Sequence, residues 1–177
     1  MSAGRLLTRT RAALVVIDMQ EGFRSYETFD GVAAACGRLV EGARILAVPT
    51  RATEQYPKGL GHTAPEIGLN GMEAIPKTVF SACRAEGFDL DGRDQVLVCG
   101  IEAHVCVSQT VHDLLEDGRE VHVAVDAVGS RHAIDREYGL RKMESSGAIL
   151  TTVEAALLEL CAEAGTPEFK AVQKVIM

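Results

Sequence analysis

Short apolar runs alternate with longer amphipathic stretches along the chain, and the change of period marks out its elements. AALVVIDM (12–19) is almost continuously apolar and rich in valine and isoleucine, the pattern of a strand covered on both faces. FDGVAAACGRLVEGARILA (29–47) has apolar residues at 32, 35, 36, 39, 40 and 43, a helical spacing, with Asp30 as the expected N-cap. ILAVPTRA (45–52) predicts a second strand overlapping the helix end. EQYPKGLGHTAPEIGLNG (54–71) is dense in Gly and Pro and reads as loop. AIPKTVFSA (74–82) turns strand-like after its proline, and QVLVCGI (95–101) predicts a buried strand. VSQTVHDLLEDG (107–118) sets Val107, Val111, Leu114 and Leu115 on one helical face and stops at Gly118. REVHVAVDAV (119–128) then predicts a strand, RHAIDREYGLRKMESSG (131–147) a helix and AILTTV (148–153) a strand. The tail from Glu154 predicts one or two helices. Residues 1–11 are expected to be a short solvated arm, basic but without the apolar core of a secretory signal.

Strand–helix alternation of this kind predicts an α/β fold: a parallel sheet with helices on both faces and right-handed crossovers. In such sheets ligands bind at the carboxyl ends of the strands. Three residues stand there. Asp18 closes the first apolar run, and a carboxylate in that position is either a turn acid or a site residue. Cys106 follows the 95–101 strand where a helix opens; helix-end N–H groups there favour a thiolate, although most free cysteines are simply buried. Lys77 lies between Ile75 and Val79, and its ammonium either snorkels to water or is held, partly desolvated, beside a carboxylate. Cys99, inside its strand, is expected in the core. Converging over one crevice, the three would form a reactive set. The acid takes the thiol proton, and the ammonium holds the acid ionised and favours the thiolate.

Composition narrows the partners. The chain has 177 residues, and a chain of this length folds as one domain with a core that needs no staples. Its net charge of −7 argues against a nucleic-acid partner, which wants a basic face. No apolar run approaches the roughly 20 residues of a bilayer span, so no membrane partner is expected. The five cysteines are odd in number and widely spread, a reduced, cytoplasmic pattern. The five histidines form no HxH or HExxH cluster, so neither a metal nor another cofactor is expected.

ALVVIDMQEGF, TEQYPKGLG, PKTVFSA and VCGIEAHVCV together resemble the isochorismatase-like (cysteine hydrolase) superfamily, over about residues 12 to 155. The resemblance implies a three-layer α/β/α fold on an open six-stranded parallel sheet. It implies Asp18 as general base, Lys77 as its support and Cys106 as nucleophile. It further implies a cis peptide at Ile101–Glu102, an oxyanion hole from the backbone N–H groups of Glu102 and Cys106, and a homo-oligomer. Gln20, Phe23, Gln55, Tyr56 and Phe80 are candidate pocket walls by their nearness to the motifs.

Two departures shape the expected chemistry. The Asp-x-His metal motif of the family's nicotinamidases is missing from RATEQYPKGLGH, where His62 stands alone, and Ala103 replaces a threonine that many relatives carry. The retained cysteine favours C–N cleavage of a small amide-type substrate through a thioester over vinyl-ether hydrolysis of isochorismate. A silent binding or scaffold protein on the same fold is the competing class, and a thiol redox sensor the weakest.

Overall fold

Ala12–Ile17 forms β1, and all six residues are buried. Its side chains alternate between two cores. Leu14 and Val16 pack beneath α1 (Phe29–Ile45), and Ala13, Val15 and Ile17 face the other way, with Val111, Leu114 and Met143. β2 (Thr50–Gln55), the three-residue β3 (Ile75–Lys77), β4 (Gln95–Ile101), β5 (Glu120–Gly129) and β6 (Ile149–Thr151) complete the sheet. The computed structural model describes residues 6–177. Among them the six strands run β3-β2-β1-β4-β5-β6, every pairing parallel.

The crossovers supply the outer layers. Beside α1, the first core takes in α5 (Val153–Cys161) and Val172 of α6 (Pro167–Ile176). The second lies under α3 (Ser108–Glu116) and α4 (Ala133–Ser145). A four-residue helix, α2 (Pro57–Leu60), follows β2. No helix among the described residues is long and apolar enough to cross a membrane.

Several boundaries differ from expectation, each for a physical reason. Ile45 and Leu46 finish α1 instead of starting a strand; the chain reverses at Ala47, φ 53°, and β2 begins only at Thr50. The expected strand at 45–52 misses the second half of β2 because TRATEQ is polar: Thr53 and Gln55 spend their side chains on hydrogen bonds. Asp30 is not the N-cap of α1. That position is Thr28, and Asp30 sits exposed in the first turn, 3.7 Å from Arg24. The solvated arm is corrected too. Leu7 is buried, its N–H donates to Glu159 at 2.9 Å, and the Thr8 N–H donates to Gln95 at 2.8 Å. Residues 1–5 of that expected arm lie outside the described residues.

Gly100 is demanded by a close approach between β4 and β1. It has φ 125°, and a Cβ there would lie 2.0 Å from the carbonyl oxygen of Ile17, the residue before Asp18. Gly100→Ala is therefore expected to destabilise the fold by more than about 2 kcal/mol. Chemical denaturation checks it; a loss below about 0.5 kcal/mol would contradict the reading.

Candidate functional site

β1 ends one residue short of Asp18, which turns off the strand with φ 53°, a conformation aspartate tolerates better than most residues. Thr53 on β2 fixes it twice. The Asp18 N–H donates to the Thr53 carbonyl at 3.1 Å, and the Thr53 hydroxyl donates to Asp18 Oδ1 at 2.7 Å. The second oxygen, Oδ2, accepts from Lys77 Nζ at 2.8 Å, with both side chains fully buried. Lys77 is thus no snorkelling residue. Its ammonium also donates to Gln55 Oε1 at 2.6 Å and to the Phe80 carbonyl at 2.9 Å, with the Val79 carbonyl at 3.4 Å. A buried ammonium needs such a shell to offset its lost hydration.

Cys106 stands opposite, 6% exposed, within a π-helical turn (Ala103–Val107) between β4 and α3. The Val107 N–H reaches back to the Glu102 carbonyl at 3.2 Å, five residues away, which is the wide ring of such a turn. The Ile101–Glu102 peptide is cis. The Ala103 N–H is taken by the Ser130 hydroxyl at 3.1 Å, and that oxygen also lies 3.1 Å from His104 Nδ1. Thr110 ties the turn to the lysine's loop: its buried hydroxyl donates to the Cys106 carbonyl at 2.7 Å and accepts from the Ala82 N–H at 2.9 Å. α4 presses on the same turn at Gly139, where a Cβ would sit 3.0 Å from Ala103 and His104.

The thiol's environment corrects one expectation. Burial pushes the Cys106 thiol up to about 12; the Asp18 charge adds to the rise, and the Lys77 ammonium offsets only part of it. The helix-end effect that would favour a thiolate is outweighed, because Cys106 is desolvated and faces a carboxylate. At neutral pH the resting thiol is therefore protonated.

The five expected wall residues fall in different places. Gln55 is in the site, where its Oε1 is the acceptor for both Lys77 and the Cys106 thiol, the latter at 3.8 Å. Gln20 is fully buried, and its amide is spent on backbone: it donates to the carbonyls of Gln55 at 3.0 Å and Gly61 at 2.7 Å, and accepts from the Gln55 N–H at 2.7 Å. It supports the site's frame instead of lining a wall. Phe23 packs on Tyr26 at the rim of the α1 core, ring centroids 5.4 Å apart. Phe80 is half-exposed, and its contribution to the site is its carbonyl. Tyr56, also half-exposed, lines a cavity of 460 Å³ with Pro57, Lys58, Val79 and Arg84 along the β3 edge.

Thr53, Thr110 and Ser130 were missed by sequence reasoning. For Thr53 the signal was its spacing of two from Gln55, which puts both on one face of a strand. Thr110 and Ser130 carried no such pattern. Among the described residues no three His, Cys, Asp or Glu side chains gather closely enough to hold a metal ion.

Comparison with known proteins adds the relatives. The family model of the isochorismatase domain matches residues 12–155. The chain is similar to isochorismatase domain-containing protein 2A of Mus musculus, 45% identical over 99% of this chain and 86% of that protein. Among solved structures it is similar to a MAR1 ribonuclease from Caenorhabditis elegans, with TM-score 0.89, 46% identity and coverage of 97% and 92%. The YcaC gene product of Escherichia coli, an octameric hydrolase of unknown specificity, has TM-score 0.88 over 99% and 91% of the chains. At its 23% identity the likeness is one of fold.

Cys83 is half-buried, and burial also raises its thiol, to about 11, so it competes for thiol reagents and is best removed. In a Cys83→Ser background, the rate of Cys106 alkylation by iodoacetamide is expected to keep rising with pH, without a plateau below about pH 10. A plateau below pH 8 would show a thiolate already formed and contradict the protonated resting state.

Proposed function

The chain belongs to the isochorismatase domain family, and on that premise we propose that it is a metal-independent cysteine hydrolase cleaving a C–N bond of a small amide-type substrate. The observation that carries the proposal is the fully buried Asp18–Lys77 pair, 2.8 Å apart, whose charges act on the Cys106 thiol. A core cysteine does not require a desolvated carboxylate and ammonium beside it. A nucleophile that must lose a proton does.

The reaction follows from these groups. Asp18 takes the Sγ proton as sulfur adds to the carbonyl carbon, and the π pair moves to oxygen. The family resemblance assigns the N–H groups of Glu102 and Cys106 to that oxyanion, while the Ala103 N–H is occupied by Ser130. Collapse of the adduct breaks the C–N bond, and the amine leaves with the proton held by Asp18. Water then adds to the thioester carbonyl, losing its proton to Asp18. The acid departs, and sulfur recovers its proton. The amine's departure returns Asp18 to the carboxylate paired with Lys77, so one carboxylate serves as base, acid and base again. The same fold in an octameric hydrolase supports assembly of this chain as a homo-oligomer.

The name of the Caenorhabditis elegans relative favours a second reading, RNA hydrolysis. The net charge of −7 weighs against it, because a phosphodiester backbone is held by basic surface.

A panel of small amides, ureides, carbamoyl compounds and RNA separates the two. Cys106→Ala and Asp18→Asn are each expected to lower kcat/KM for the best amide at least about 1000-fold while circular dichroism stays unchanged. RNA cleavage that survives Cys106→Ala, with no amide turned over by the parent protein, would overturn the amide reading.

A further inference from the structure

Gln55 is held more firmly than a pocket wall needs to be. Gln20 clamps both its backbone groups, and its Nε2 donates to the Thr78 carbonyl at 2.9 Å. These contacts fix which way the amide faces: turned over, its NH2 would meet the Lys77 ammonium, donor against donor. The oxygen is therefore committed to the site, where it accepts from Lys77 Nζ at 2.6 Å and from Cys106 Sγ at 3.8 Å.

The resting thiol thus has an amide oxygen as acceptor at 3.8 Å, beside the Asp18 carboxylate, whose hydrogen bond with the thiol also favours the protonated form. We propose that Gln55 is a positioning residue that latches the resting nucleophile: its amide oxygen holds the S–H and the Lys77 ammonium together, and an arriving substrate displaces it. This rests on the hydrolase reading above and adds to it that substrate frees the nucleophile. Two features of the oxygen do the latching. It accepts from the neutral thiol, so its lone pair faces the sulfur and repels a thiolate. It also accepts from Lys77 Nζ at 2.6 Å, in competition with the sulfur for the same ammonium. The charged groups facing the sulfur are Asp18, from the end of β1, and Lys77, from β3. Gln55 stands between them on β2 and is partly buried.

Opposite responses of two near-isosteric variants test this without knowledge of the substrate. In the full chain carrying Cys83→Ser, Cys106 is alkylated with iodoacetamide at pH 8 and the label is located by peptide mass spectrometry. Gln55→Met removes the acceptor and is expected to speed alkylation about tenfold, equivalent to one pKa unit. Gln55→Glu places a negative charge at the sulfur and is expected to slow it about tenfold. Gln55→Asn withdraws the oxygen by one methylene and is expected to follow Gln55→Met; it decides the sign if Gln55→Met does not fold. Unchanged rates, or acceleration in Gln55→Glu and in the acceptor-lacking variant alike, as general loosening would give, overturn the latch. The hydrolase reading is judged separately, by turnover in Cys106→Ala. A dead Cys106→Ala enzyme with unaltered alkylation in the Gln55 variants sinks the latch alone.

Discussion

A carboxylate and an ammonium with no exposed side-chain surface, 2.8 Å apart, are the contact on which the rest of the site depends. Burying such a pair costs several kcal/mol per ion in lost hydration, and mutual attraction repays this only when the remaining donors and acceptors are also satisfied. Here they are. Asp18 has Thr53 on one oxygen and Lys77 on the other, and Lys77 has an amide and main-chain oxygens besides. Such a pair is weak evidence for stability, so its presence here is read as chemical in purpose. The sheet supplies the geometry. β3, β2, β1 and β4 are consecutive and parallel, so Lys77, Gln55 with Thr53, Asp18 and the turn bearing Cys106 all come from neighbouring carboxyl ends.

The high proton affinity of the Cys106 thiol fits that chemistry. A free thiolate would meet any electrophile, whereas a protonated thiol beside an anionic base reacts only when proton transfer and attack on a carbonyl are coupled. The π turn serves the same end. Its wide ring, anchored by Ser130 at Ala103 and by Thr110 at Cys106, fixes where the sulfur stands. Thr110 also links that loop to the segment whose carbonyls hold Lys77, so the nucleophile and the ammonium share one support.

Hydrophobic pattern revealed β1, β4 and most of β5, because parallel strands buried on both faces must be apolar throughout. It misplaced the bounds of β2 and β3 for the reason that makes them interesting. β2 is polar where Thr53 and Gln55 carry the site, and β3 is three residues long and includes a proline. Asp18, Lys77 and Cys106 could be singled out as anomalies against apolar neighbours. Thr110 and Ser130 could not, since a buried hydroxyl on a helix or after a strand looks ordinary until its partners, 27 or 28 residues away in the chain, are in view. The thiol's proton affinity was also misjudged, because sequence shows the nearby helix start but neither the burial nor the facing carboxylate.

The central claim is that Cys106, served by Asp18 and Lys77, accepts an acyl group on its sulfur. The most direct measurement is acid-quenched peptide mass spectrometry of the protein after brief exposure to p-nitrophenyl acetate, an activated acyl donor. The expected result is an acetyl group on Cys106 that forms far more slowly in Asp18→Asn. Acetylation confined to Cys83, or equal labelling of Cys106 in the two proteins, would contradict it.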